Sequence, residues 1–168
     1  MVGAPLLEDA VELAVKWHRG QKDKAGEPYI LHPLRVMLDP TLQTEEERIV
    51  AIFHDVLEDC GVSEARIRYY GFSETIIAAL KCLTRREGEE YMSYIDRVAN
   101  GSAIARRVKI ADLKDNADLS RFTDPTEKDF ERAEKYRSAL AYLGVREPKK
   151  EYGVLRPAWS DGGADAII

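Results

Sequence analysis

The chain is poor in cysteine and histidine. Its 168 residues include two cysteines, Cys60 and Cys82, and three histidines. The cysteines form no CxxC pair and have no histidines at zinc-finger spacing. This argues against a disulfide framework or a thiolate zinc site and predicts free thiols that are buried or partly buried.

Long apolar runs and an excess of positive charge are also missing. No stretch approaches the length that a transmembrane helix needs, so we expect no membrane association. The segment before Leu7 lacks the basic leader of a signal peptide, and a cytoplasmic protein is expected. The net charge of -5 argues against a nucleic-acid partner, which would favour a basic face. A small phosphorylated ligand needs only a local basic patch and is compatible with this charge.

The remaining pattern is helical nearly throughout. β-branched residues are sparse, and no segment alternates as a strand does. Thr44 with Glu47 fits a capping box, Pro33 suits the first position of a short helix, and Asp124 with Glu127 indicates a helix start. Helices are predicted over 6–19, from 33, from 45 through the segment 54–59, over 63–70, 73–83, 89–99 and 102–121, and from about 124 to 143.

These segments predict one all-α domain over residues 1–145. Gly144 ends the last helical pattern. Residues 146–168 contain proline, glycine and an unpatterned end, so they are interpreted as a C-terminal extension that is partly disordered. The oligomeric state does not follow from the sequence.

The most informative segment is His54-Asp55-Val56-Leu57-Glu58-Asp59. It places four ionisable groups in what the pattern predicts to be one apolar helix, where unpaired charges are costly. A bound cation would neutralise them. His54 and Asp55 would face it, with Glu58 and Asp59 one turn further on the same side. The alternative for Glu58 and Asp59 is a solvated helix end.

Further metal ligands must come from other segments. His32, which follows a loop, is a candidate, although a lone histidine there is more often structural. Asp112 lies at i+4 from Val108 on an apolar face, and its alternative is a simple pair with Lys109. Two imidazoles and two carboxylates suit Mn²⁺, Fe²⁺ or Zn²⁺ better than Ca²⁺. Such a metal activates water, which Glu58 and Asp59 would position or deprotonate.

Two local basic patches are candidates for binding phosphate. One is the loop of residues 19–24, with Lys22 and Lys24. The other is Arg85-Arg86, whose positive charge is partly offset by the glutamates that follow it. Without the metal motif, both would be interpreted as solvated surface.

Four motifs in this order resemble the HD-domain hydrolases of the RelA/SpoT group, in particular stand-alone small alarmone hydrolases. The resemblance covers residues 5 to 145. The motifs are His18-x-x-Gln21, Gly26-Glu27-Pro28-Tyr29-Ile30-Leu31-His32-Pro33, His54-Asp55-x-x-Glu58-Asp59 and Lys109-Ile110-Ala111-Asp112-x-x-x-Asn116.

The resemblance implies a compact multi-helix bundle around one Mn²⁺ and hydrolysis of the 3′-pyrophosphate of an alarmone such as ppGpp. The implied metal ligands are His32, His54, Asp55 and Asp112, and the implied catalytic pair is Glu58 and Asp59. The expected substrate contacts are Lys22, Lys24, Asn116, Arg85, Tyr136 and His18.

One position departs from the family pattern. Many members have arginine at position 23, where it packs on the purine base. Asp23 cannot form that cation–π contact and adds negative charge near phosphate. Guanine preference is therefore open, and an adenine alarmone is a second possible substrate. Two different functions also stay open: a phosphohydrolase of this fold acting on another nucleotide such as NADPH, and a nucleotide-binding module without turnover.

Overall fold

A computed structural model describes residues 5–145. The predicted C-terminal extension, 146–168, lies outside the described residues. Within 5–145 the chain folds into nine helices joined by short loops, so the all-α prediction is confirmed. The helices are α1 (Leu7–Trp17), α2 (Leu31–Met37), α3 (Glu45–Phe53), α4 (Val56–Asp59), α5 (Glu64–Tyr69), α6 (Glu74–Leu83), α7 (Tyr91–Ala99), α8 (Ala103–Ala117) and α9 (Glu127–Tyr142).

Most helices begin where the capping residues indicate. Thr44 accepts a hydrogen bond from the Glu47 amide, and the Glu47 side chain accepts one from the Thr44 amide, which is the predicted capping box. Ser63, Ser73 and Ser102 cap α5, α6 and α8 in the same way, each accepting from an amide three residues on. These caps satisfy amides that have no partner within the helix.

The segment 54–59 departs from its prediction as part of one helix. Helix α3 ends at Phe53, His54 and Asp55 form the junction, and a single turn, α4, follows. The α-helix therefore does not run unbroken from His54 to Glu58, whereas Asp59 lies one turn after Asp55, because its amide donates to the Asp55 carbonyl oxygen at 2.8 Å. Glu58 and Asp59 are also exposed overall, with carboxyl groups that are only partly enclosed. Only His54 is fully enclosed, so the cost of burying four charges is smaller than the sequence suggests.

Three helix ends also differ from expectation. Pro33 lies at the third position of α2 rather than the first, where its missing N–H still costs no intrahelical bond. Helix α9 is capped by Thr126, paired with Asp129, and not by Asp124. Helix α8 ends at Ala117 instead of continuing to 121.

Two apolar clusters stabilise the fold. The larger surrounds α3, whose Val50, Ile52 and Phe53 are fully buried against α1, α2, α6 and α8. The smaller joins α7, α8 and α9 through Ile95, Leu113 and related side chains. Helix α8 contributes to both clusters and so fixes α9 relative to α2 and α3. No helix in residues 5–145 is long and apolar enough to cross a bilayer.

Candidate metal centre and nucleotide cavity

The predicted metal-binding residues converge where α2, the α3–α4 junction and α8 meet. The Nε2 atoms of His32 and His54 are 3.2 Å apart. Oδ1 of Asp112 lies 3.2 Å from the first and 3.5 Å from the second. Oδ2 of Asp55 lies 2.9 Å from Nε2 of His54 and 3.7 Å from that of His32. Residues from three separate helical segments therefore offer two nitrogens and two carboxylate oxygens to one point.

Both imidazoles are oriented by their other ring nitrogen. Nδ1 of His54 is 2.7 Å from the carbonyl oxygen of Ala51, and Nδ1 of His32 is 2.7 Å from Oδ2 of Asp115. Each Nδ1–H donates to its oxygen, which leaves the Nε2 lone pair directed at the centre. Lone pairs and carboxylates facing one another at these distances suit a divalent cation, so the donor set fits a metal site.

The carboxylates give this centre a strong attraction for positive charge. Burial alone would raise the pKa of Asp55, but the adjacent His54 holds that pKa at about 2. Burial would lower the pKa of His54, yet Asp55 and Asp112 raise it well above its ordinary value. In a metal-free centre, protons would therefore occupy the imidazoles, and a metal would compete with them.

Asp112 also forms the ion pair with Lys109 that the sequence suggested as an alternative to metal binding. Nζ of Lys109 lies 2.7 Å from Oδ2, while Oδ1 faces the imidazoles. The two interpretations are compatible, because one carboxylate serves both partners. Nδ2 of Asn116 donates to Oδ1 at 2.5 Å. Asn116 thus contacts a metal-site carboxylate as well as lining the cavity.

Asp115 supports the centre and was not predicted. Arg35 donates to both of its oxygens, at 2.6 and 3.0 Å, and Nη2 of Arg121 donates to its backbone carbonyl at 3.1 Å. Burial opposes ionisation of Asp115, but bonds from His32 and Arg35 lower its pKa. The sequence offered one signal, since Asp115 follows Asp112 by three residues and so lies on a neighbouring face of α8.

The His18 motif contacts the metal centre indirectly, through Tyr29. His18 is 2% exposed, its ring packs against that of Tyr29 at a tilt of 38°, and its Nδ1 is 2.7 Å from Oε1 of Gln21. Tyr29 in turn donates its hydroxyl to Oδ2 of Asp55 at 2.5 Å. His18 does not line the cavity. Its position supports Tyr29, and through it Asp55, rather than a nucleotide contact.

Glu58 and Asp59 are placed differently from each other. Glu58 lines the cavity, and one of its oxygens accepts a hydrogen bond from the Arg85 amide. Partial burial raises its pKa, which makes its carboxylate a stronger base. Asp59 is not part of the cavity wall; its carbonyl accepts from Gln21 at 3.0 Å, and burial raises the pKa of its side chain as well.

A cavity of about 460 Å³ opens from the metal centre. The predicted contacts Lys22, Lys24, Arg85, Asn116 and Tyr136 all line it. Arg121, Arg132 and Lys135 add cations that the sequence patterns did not indicate. Within residues 5–145, Lys22, Lys24, Arg85 and Lys135 form no salt bridge. The cavity wall is therefore suited to an anion.

Asp23 is part of the same wall but is already engaged. Its Oδ1 accepts from the amides of Ala25 and Glu27 at 2.9 and 3.0 Å, which shapes the loop. Its Oδ2 lies 3.4 Å from Nη1 of Arg121. Arg121 thus offsets part of the negative charge that the sequence suggests at this position.

Sequence comparison finds relatives that match this site-bearing part of the chain, although no family model matches. A guanosine-3′,5′-bis(diphosphate) 3′-pyrophosphohydrolase of Aquifex aeolicus is 32% identical over 120 residues, which are 66% of this chain and 17% of that protein. A GTP pyrophosphokinase of Streptomyces coelicolor is 37% identical over 75 residues, 42% of this chain and 9% of that protein. The chain spans less than a fifth of the length of these curated relatives.

Structural comparison extends the similarity to most of the chain. A metazoan ortholog of SpoT that hydrolyses ppGpp superposes with a TM-score of 0.69 at 21% identity, covering 85% of this chain and 87% of that one. This likeness establishes the fold. Together, the sequence matches and the shared fold confirm the predicted resemblance of this chain to the HD-domain hydrolases of the RelA/SpoT group.

Proposed function

We propose that this chain is a metal-dependent hydrolase that removes the 3′-pyrophosphate of (p)ppGpp-type alarmones. The products are pyrophosphate and the 5′-phosphorylated nucleoside. The observation that carries the proposal is the convergence of His32, His54, Asp55 and Asp112 at one end of a cavity whose other walls are rich in cations. The names of the sequence relatives and the fold of the SpoT ortholog support the same chemistry.

We propose Mn²⁺ as the metal, with Fe²⁺ and Zn²⁺ as alternatives that the same donors accept. His32, His54, Asp55 and Asp112 would hold it. Such an ion supplies Lewis acidity toward a phosphoryl group and makes water a better nucleophile. Asp115 and the Ala51 carbonyl would keep both imidazoles in the tautomer that binds it.

Glu58 is the proposed general base. It lies on the cavity wall beside the metal centre, and its raised pKa gives it the basicity to take a proton from water. The Arg85 amide holds one of its oxygens and leaves the other available. Asp59 is assigned the supporting role in this pair, since its side chain lies off the cavity wall but close to Tyr29 and Asp55.

The substrate would lie along the cationic walls. Lys22 and Lys24 approach from the loop after α1, Arg85 from the loop after α6, and Tyr136 from α9. Lysine side chains act there as point charges for phosphate, and the Tyr136 ring offers a stacking surface for a base. Residues 1–145 would form the metal-dependent phosphohydrolase domain, and residues 146–168 a C-terminal extension.

Product analysis separates this function from its nearest rival. Metal-loaded protein given ppGpp should release pyrophosphate. A phosphohydrolase acting on another nucleotide, such as NADPH, would instead release orthophosphate from that compound and leave ppGpp intact. A binding module would retain ppGpp unchanged for hours with metal bound, and that result would contradict the proposal.

A further inference from the structure

One buried hydroxyl in the cavity has no assigned task. Tyr91, the first residue of α7, lines the cavity, and its Oη is buried without a hydrogen-bond partner among residues 5–145. Two other cavity tyrosines are satisfied by the protein. Tyr29 donates to Asp55, and Tyr94 donates to the carbonyl oxygen of Leu83 at 2.5 Å. An unpaired buried hydroxyl is costly, so its retention in a cavity wall points to a ligand atom as its partner.

The surroundings of Tyr91 indicate the charge of that ligand. Nζ of Lys135 lies 3.8 Å from the centre of its ring, and the Arg85 guanidinium lies 6.0 Å from it. Lys109 is close enough to influence its ionisation. Burial raises the pKa of Tyr91 to about 12, so the group stays protonated at neutral pH and acts as a donor. A donor among cations favours an anionic oxygen.

The position of Tyr91 is fixed by the segment that also holds Glu58. The Arg85 amide donates to Glu58, and the Arg85 side chain donates to the Glu89 carbonyl oxygen at 2.9 Å. Glu89 forms a salt bridge with Arg97 at 2.7 Å, which anchors this turn to α7. Tyr91 follows Glu89 by two residues. The hydroxyl and the proposed base are therefore set by one short, hydrogen-bonded segment at the metal end of the cavity.

We propose that the Tyr91 hydroxyl donates a hydrogen bond to an oxygen of the substrate's pyrophosphate group. This inference rests on the proposed function, because it names a contact within the same site. Arg85 and Lys135 would flank that group and hold the ring, while the nucleoside and its 5′-phosphates would lie toward Lys22 and Lys24.

The test compares Tyr91→Phe with Tyr94→Phe. Tyr91→Phe should leave the melting temperature of the unliganded protein unchanged or slightly higher, because it removes an unsatisfied group. It should lower kcat/KM for ppGpp on the order of 10- to 100-fold, as expected for one hydrogen bond to a charged oxygen. Tyr94→Phe removes a satisfied bond to Leu83 and should lower the melting temperature instead.

Measuring how the reaction products bind to metal-loaded protein tests the proposed contact between Tyr91 and pyrophosphate without relying on turnover. Tyr91→Phe should weaken calorimetric binding of inorganic pyrophosphate by a similar factor and leave GDP binding unchanged. Wild-type affinity for pyrophosphate in Tyr91→Phe would overturn the inference, as would weakening confined to GDP or a wild-type protein that does not bind pyrophosphate. Failure of wild-type protein to hydrolyse both ppGpp and ppApp would instead reject the proposed function, and the pyrophosphate comparison would still decide the role of Tyr91.

Discussion

Asp115 accepts a hydrogen bond from Nδ1 of His32 at 2.7 Å, and this contact turns the Nε2 lone pair of His32 toward the other metal-site donors. Arg35 in turn clamps Asp115 through both carboxylate oxygens. The metal centre thus depends on a carboxylate at an unspecified position of the fourth motif, between Asp112 and Asn116.

Replacing Asp115 with alanine should weaken Mn²⁺ binding by about 10- to 100-fold, the usual effect of losing a carboxylate that orients a ligand histidine. Titration calorimetry on metal-free protein measures this directly. Asp118→Asn, just beyond the same helix, is a matched control, because Asp118 caps the Ser120 amide and does not contact the centre. Equal Mn²⁺ affinity in Asp115→Ala and wild type would refute the supporting role.

Variants at Asp55 and Glu58 should distinguish the loss of metal binding from the loss of turnover. Asp55→Ala should lose metal and activity together. Glu58→Gln should keep wild-type metal content, since Glu58 is not a proposed ligand, and lose about 10²- to 10⁴-fold in kcat, the range for a general base. Its amide oxygen still accepts from the Arg85 amide, so the loop should stay intact. Metal analysis and steady-state kinetics give both readouts; a full rate in Glu58→Gln would show that another group activates water.

Asp23 should influence base choice. Asp23→Arg should raise the rate on ppGpp relative to ppApp, because it restores the arginine that many of the resembled ppGpp hydrolases have at this position. The same change removes two hydrogen bonds within the loop and places a second cation near Arg121, so a lower melting temperature is expected. Asp23→Asn, which retains an acceptor for the loop but not the charge, is the control. An unchanged ppGpp to ppApp ratio in Asp23→Arg would reject this account of selectivity.

Glu47 should contribute to stability in a pH-dependent way. It is 3% exposed, caps α3 and pairs with Arg107. Glu47→Gln should lower the free energy of unfolding by about 1–3 kcal/mol at pH 7. Although burial opposes ionisation, amide hydrogen bonds and Arg107 lower its pKa.

The sign of that pH dependence follows from the lowered pKa. The stabilisation by Glu47 is fully present above the unfolded-state pKa, near 4.5, and is lost as the pH falls through the lower folded-state value. Urea unfolding of wild type and Glu47→Gln from pH 7 to pH 3 should show the difference shrinking below about pH 5. A difference that grows toward low pH would contradict this assignment.

Local signals in the sequence predicted much of the fold. Thr44, Ser63, Ser73 and Ser102 mark real helix starts, because their side chains satisfy amides that the helix cannot. Gly144 ends the last helix with a φ of +82°, a conformation that other residues rarely adopt. The break at His54 and Asp55 could not be seen, since the apolar pattern continues through it and only packing against α2 and α8 selects a junction there.

The sequence predicted only those site residues that belong to recognisable motifs. His32, His54 and Asp112 could be named and are brought together. Asp115, Arg121 and Tyr91 could not, because their roles depend on which helices pack together and on which polar atoms that packing leaves unpaired. His18 shows what a motif alone does not give: its ring lies against Tyr29 and is not among the residues that line the cavity, although a substrate contact was expected.

The most direct test of the central claim is the product formed from ppGpp and ppApp by Mn²⁺-loaded wild-type protein, with Asp55→Ala as the matched inactive control. We expect pyrophosphate from at least one alarmone with wild type and none with the variant. No pyrophosphate from either alarmone, with Mn²⁺ demonstrably bound to the wild-type protein, would contradict the proposed 3′-pyrophosphohydrolase activity.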